Sequence, residues 1–212
     1  IVGDTLRDLE PKVVWTHFDD ISKIPRCSSN EAAVREHLVE AARSRGWDSV
    51  VDAAGNLVVK IPATAGHENA PTVVLQGHLD MVCEKNSDVE HDFETQGIDA
   101  YVDGENVTAR GTSLGADNGI GLAMGLGVGD DPDATHGPLE ILCTVEEETG
   151  LTGAAALDPS LLAGRILINL DTEEDGAVYI GCAGGGDQAG HFPLQRQAAD
   201  DGTAAVALRV RG

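Results

Sequence analysis

Basic residues are scarce in this chain. Its 212 residues carry 14 Lys and Arg against 36 Asp and Glu, a formal charge of −22. A surface of that sign repels phosphate backbones and anionic lipid, so nucleic acid and membrane surfaces are excluded as expected partners. Long apolar runs are missing too. None approaches the roughly 20 residues that span a bilayer, and the chain does not open on the charged, apolar and small-residue succession of a signal peptide. Cysteine is limited to Cys27, Cys83, Cys143 and Cys182. They lie far apart without C-x-x-C spacing, so neither a thiolate zinc knot nor a redox dithiol is encoded. Buried, reduced thiols in a cytoplasmic protein are the expectation.

What is present is the composition of a globular protein. Apolar residues make up 42% of the chain, and its length allows one large domain or one domain with part of another. Val14, Phe18 and Ile21 recur at helical spacing within 6–24 and Pro25 stops the pattern, which predicts an amphipathic helix. In SSNEAAVREHLVEAARSRG, Ser28 and Glu31 have capping-box spacing, Val34, Leu38 and Ala42 form one face, and Gly46 sits where a helix ends. Segments 49–52 and 57–61 read as paired strands, 72–77 as a buried strand, and 139–145 and 165–170 as further strands. The segment IGLAMGLGV reads as a helix whose glycines imply close packing against a sheet. Short strand-like pieces flank the turn DGEN within 86–112. The acids of 130–133 read as a solvated loop. Strands alternating with helices imply an α/β fold with a mixed, mostly parallel sheet flanked by helices.

The apolar strands end in acids. LQGHLDMVCEK places His78 and Asp80 where one strand runs out, Glu146, Glu147 and Glu148 follow the next, and Asp171 follows the last. SLGADNG sets Asp117 in a glycine-flanked turn before a helix. In open α/β sheets ligands gather beyond the carboxyl ends of the strands, so these side chains share one edge. A lone H-x-D is more often a surface polar pair, and a lone EEE a solvated loop; the order of four such features is what carries weight. One imidazole among several carboxylates repels itself unless cations neutralise it, and suits zinc, manganese or cobalt better than calcium. His78 and Asp80 project to one strand face, so the carboxylate can steady the imidazole.

EPKVVWTHFDDISKIPRCSSNE, LQGHLDMVCEK, ARGTSLGADNGIGLAMGL, EEETGLTGA and ILINLDTEEDGAVYIGCAGGG together resemble the aminoacyl-histidine dipeptidase family of co-catalytic zinc peptidases, to about residue 186. The resemblance implies a zinc-exopeptidase-like catalytic domain over 1–184, with the start of an inserted α+β lid domain over 185–212. It implies two divalent metal ions, zinc ahead of manganese or cobalt. His78 and Asp171 bind one ion, Glu148 binds the other, and Asp117 bridges both across a cis Asp117–Asn118 peptide. Glu147 is the general base and Asp80 steadies His78. The family motif usually reads Asp-Glu-Glu where this chain has Glu146 to Glu148, and the following TGLTGA fixes the register on the last two. A downstream histidine ligand and most of the lid are not in the chain, which opens on Ile1, so a fragment, inactive in isolation, is expected. The full-length reading is hydrolysis of dipeptides of the Xaa-His type in the cytoplasm, by a homodimer formed through the lid.

Two alternatives remain at this point. Relatives with the same bimetal core deacylate amino acids, and a truncated, non-catalytic module retains the sheet without a complete site. Dinucleotide binding at GCAGGG is set aside because the spacing is not G-x-G-x-x-G and no helix pattern follows. The initial IVG resembles a processed trypsin-like terminus, but no G-D-S-G-G follows.

Overall fold

The computed structural model describes residues 5–172, 174, 176–182, 184 and 193. The chain divides into two compact units, Ile1–Ala177 and Val178–Gly212. The expected lid segment, 185–212, lies outside the described residues apart from Pro193.

The first unit begins with a 3-10 turn, Leu6–Asp8, and helix α1, Lys12–Ser22. The single helix expected over 6–24 is interrupted because Pro11, at the N-cap, has a fixed φ and no amide to donate. Helix α2 spans Ala32–Ser44, with Val34, Leu38 and Ala42 fully buried on one face. Burying each Val or Leu side chain contributes roughly 1.5–3 kcal/mol, which explains why this face decides the helix's orientation. The capping box expected at its start is not formed: Glu31 occupies the N-cap without a side-chain cap bond.

Strands β1, Asp48–Val51, and β2, Leu57–Ile61, pair antiparallel as expected. Strand β3 covers Val73–His78. A hairpin of β4, Ala100–Asp103, and β5, Asn106–Ala109, turns through the DGEN segment. Helix α3 then runs Ala116–Asp130, followed by β6, Leu139–Thr144. A short helix α4, Thr152–Ala155, and a 3-10 turn, Pro159–Leu161, lead to β7, Ile166–Asn169.

The five-stranded sheet has the order β1-β2-β6-β3-β7. Strands β6, β3 and β7 are mutually parallel, β2 is antiparallel to β6, and β1 to β2. Four of the five strands therefore point the same way. The period of two sorts the side chains by face. Leu57, Val59, Leu75, Ile141 and Cys143 pack with Ile21, Leu38 and Leu122 of the helices, whereas Val58, Val74 and Leu142 meet Leu157, Leu161 and Leu162 of the segment before β7.

Two further expectations are corrected here. Asp130 is not a solvated loop residue: its carboxylate accepts from His17 Nε2 at 2.8 Å and from Arg45 at 2.5 and 2.6 Å, tying together the three helices. Nor are the cysteines all buried thiols. Cys143 is buried and free and Cys182 exposed, but Cys27 and Cys83 form a disulfide. Cys27 lies beside Met81 in a parallel bridge, which brings the Cys27 and Cys83 Cα atoms to 5.8 Å, within bonding range.

The bond closes a long loop, with a sequence separation of 56. Loop-closure entropy makes Cys83→Ser, or reduction of the native protein, less stable by about 2–4 kcal/mol. Urea unfolding with and without dithiothreitol measures this, and coincident midpoints would contradict it.

Candidate active site

The carboxyl ends of β3, β6 and β7 lie side by side, with His78 opposite Thr144 and Gln76 opposite Asn169. The next few residues of each chain segment therefore emerge at one edge. His78 is the last residue of β3 and is fully buried. Its Nδ1 meets Asp80 Oδ1 at 3.2 Å and its Nε2 meets Asp117 Oδ1 at 2.8 Å. Asp171 Oδ1 and Glu147 Oε2 stand 3.8 and 3.9 Å from the same Nε2. Donor atoms of His78, Asp117 and Glu148 all lie within 4.8 Å of one another. The six residues expected at this edge are thus brought together.

Asp80 is the buried hub. Its two oxygens accept from the Glu147 and Glu148 amides at 3.0 and 3.2 Å, and from Ser28 Oγ at 2.7 Å. The loop after β6 is ordered amide by amide. Val145 N donates to Asn56 Oδ1 and Glu146 N to Glu31 Oε1, so each amide from 145 to 148 ends on a side-chain oxygen. Glu146 adopts φ 49°, a left-handed turn that non-glycine residues seldom adopt, and this aims both following amides at Asp80. Ser28 and Glu31, expected to cap α2, have been taken up by this edge instead. They are the site residues that the sequence pattern misassigned, together with Asn56, which carried no signal.

Asp117 lies just inside α3, and its peptide bond to Asn118 is cis. Asn118 Nδ2 donates to Leu170 O at 2.8 Å and to Asp171 Oδ1 at 3.1 Å, fixing the carboxylate after β7. Space for that amide is made by glycine. A Cβ on Gly77 would collide with Asn118 Oδ1, and one on Gly121 would stand 2.5 Å from it and 2.8 Å from Leu170 O.

The electrostatics ask for a cation. Burial opposes charging His78, yet its hydrogen bonds to Asp80 and Asp117 and the charge of Asp171 outweigh that and raise its pKa to about 9. Burial would raise Asp80, but His78, Ser28 and the two amides hold it at about 2. Burial, followed by Asp117 and Glu147, pushes Asp171 up to about 6 against the opposing pull of His78, and burial with the charge of Asp117 raises Glu148. With Nδ1–H committed to Asp80, the Nε2 lone pair faces three carboxylates. Such a cluster holds either a proton or a metal ion at its centre. One imidazole nitrogen with carboxylate oxygens fits zinc, manganese or cobalt.

No family model matches the chain. Over 207 residues, 98% of the chain, it is 46% identical to the cytosol non-specific dipeptidase of Escherichia coli (strain K12), and it spans 43% of that protein. The crystal structure of aminoacylhistidine dipeptidase from Vibrio alginolyticus matches with a TM-score of 0.82 and 47% identity, over 84% of this chain and 36% of that one. The chain is similar to these two dipeptidases along most of its length. A tripeptidase from Staphylococcus aureus matches at 25% identity and TM-score 0.65, over 79% of this chain and 45% of its own. The chain spans less than half the length of each of these relatives.

A metal ion held by His78 and Asp171 would compete with a proton for His78 below about pH 9 and for Asp171 below about pH 6. Affinity of the metal-free protein for zinc or cobalt therefore climbs by about tenfold per pH unit for each displaced proton as pH rises towards those values. Calorimetry between pH 6 and 9 in buffers of different ionisation enthalpy detects the released proton; a flat affinity across that window is incompatible with the site.

Proposed function

We propose that this chain carries the catalytic segment of a metal-dependent dipeptidase. The observation that carries the reading is the convergence of His78, Asp117, Glu147, Glu148 and Asp171 around the single nitrogen Nε2 of a buried imidazole. Two divalent ions fit this donor set, zinc first. His78, Asp117, Glu148 and Asp171 would hold these ions. Bound ions of this kind supply Lewis acidity to a scissile carbonyl and acidify the attacking water.

The chain's own groups do the rest. Glu147 reaches the edge from a loop whose backbone is fixed by Asp80, and its side chain is 28% exposed, open to a substrate water. It takes the proton of the attacking water and delivers it to the amine nitrogen as the C–N bond breaks. Asp80 keeps the His78 proton on Nδ1, so Nε2 would be the nitrogen available to bind an ion. Asn118 holds Asp171 in place.

Small peptides are the substrate class. The names of the two relatives, one a non-specific dipeptidase and one an aminoacylhistidine dipeptidase, support Xaa-His dipeptides as members of the set. A homodimer formed through the lid belongs to the same reading. We place the protein in the cytoplasm on the name of the Escherichia coli relative. Among the described residues no helix is long and apolar enough to cross a membrane. The Cys27–Cys83 bond stands against a reducing compartment, and thiol trapping of the protein taken directly from cells reads its redox state there.

In the full-length protein, Glu147→Gln lowers kcat for dipeptide hydrolysis by roughly 10²–10⁴-fold while metal content, measured by elemental analysis, stays unchanged. Chelation abolishes turnover and zinc, cobalt or manganese restores it. Undiminished turnover in the variant removes Glu147 from the role of base.

A further inference from the structure

Arg26 is 2% exposed, and among the described residues no carboxylate stands within ion-pair distance of it. Its two terminal nitrogens donate to backbone carbonyls, while its buried Nε has no hydrogen-bond partner. Nη1 donates to Leu79 O at 3.0 Å and to Asp80 O at 2.8 Å, and Nη2 donates to Gly115 O. The first two carbonyls belong to the segment that leaves β3 through His78 and Asp80. The third belongs to the turn that delivers Asp117. That turn is shaped around the guanidinium: Gly115 has φ 70°, and a Cβ at Gly115 or Gly119 would stand 2.6 or 2.7 Å from Nη2. Arg26 is itself fixed in place, because its carbonyl accepts from Met81 N at 3.1 Å and the next residue, Cys27, is bonded to Cys83.

A buried cation without a paired carboxylate is costly, and removing its partners leaves an uncompensated charge. Here the compensation comes from the field of the acid cluster. Burial draws Arg26 down to about 10, and Asp80, Asp117 and Glu148 oppose that loss. The guanidinium therefore stays a positive charge close to the carboxylates. Its planar fork spans two chain segments at once, a geometry that a lysine ammonium cannot reproduce.

We propose that Arg26 is a positioning residue for the hydrolytic site: its guanidinium locks the His78–Asp80 segment to the Asp117 turn and backs the acid cluster with a fixed charge. The proposal rests on the dipeptidase reading for its catalytic consequence, but not for its structural one.

The test uses the full-length protein with Arg26→Lys and Arg26→Met. In the metal-free state, amide exchange followed by mass spectrometry rises in peptides covering 79–84 and 113–120 for both variants, while α2 exchanges as in the wild type. With cobalt bound, the visible absorption spectrum shifts. Turnover of a dipeptide falls by roughly 10- to 100-fold in kcat, as expected when a group that supports metal ligands is lost, with KM changed less than threefold. Lys recovers part of the loss relative to Met because it keeps the charge. Wild-type exchange in both segments overturns the proposal, as does a lowered melting temperature with unchanged cobalt spectrum and kcat. Where Arg26→Met does not fold, Arg26→Lys decides by the same readings. A wild-type protein that holds no metal and cleaves no dipeptide refutes the dipeptidase reading, whereas the exchange result still decides whether Arg26 locks the two segments.

Discussion

Asp80 is an anion with no access to water, and the arrangement of the site follows from how it is satisfied. An isolated buried carboxylate costs several kcal/mol in effective desolvation, so it must be surrounded by donors. The donors come from three places in the chain: Ser28 before α2, His78 on β3, and the amides of Glu147 and Glu148 after β6. Satisfying the carboxylate brings them to one point, and that point is where the acids of the edge converge.

The charges around Asp80 differ in exposure. Arg26, His78 and Asp80 are all buried, Arg26 donating to nearby carbonyls and Asp80 pairing with His78, whereas Asp117, Glu147 and Asp171 stand around Nε2 partly open to solvent. Asp117 is the most open of these, 50% exposed at its side chain. A fold that stabilises only itself has little reason to end two strands of one sheet in carboxylates such as Glu148 and Asp171, which burial and the charge of Asp117 raise. Such mutual repulsion in a cleft is the signature of a site whose missing charge is brought by a ligand.

Periodicity made the sheet legible. The apolar runs at 57–61, 72–77 and 139–145 mark strands buried on both faces, the i, i+4, i+8 face of Val34, Leu38 and Ala42 marks the buried side of a helix, and each of these elements lies where its pattern places it, to within a residue for the strands. The acids at the strand ends were legible for the same reason, since a strand that stops at the sheet edge must leave its next side chain there. What local pattern could not encode was competition from distant partners. Ser28 and Glu31 have the spacing of a helix cap, but Asp80 and the Glu146 amide, 52 and 115 positions away, take their oxygens. Asp130 reads as one acid of an exposed run until Arg45 and His17 arrive from two other helices. Cys27 and Cys83 lack any motif because their meeting depends on the parallel bridge at Met81.

Helix α3 shows how far local preference yields to the site. A glycine in a helix interior costs roughly 1 kcal/mol relative to alanine, yet Gly119, Gly121 and Gly125 all lie in this one. Each is accounted for by what a methyl group would meet: the Arg26 guanidinium at Gly119, the Asn118 amide and Leu170 carbonyl at Gly121, and the Ile141 side chain at Gly125. The helix is therefore drawn onto the sheet closely enough for Asn118 to reach across to β7 and for Asp117 to reach His78. The weakness of its helical sequence and the reach of its first turn are two consequences of one requirement, that carboxylates from a helix and from two strand ends face the same imidazole nitrogen.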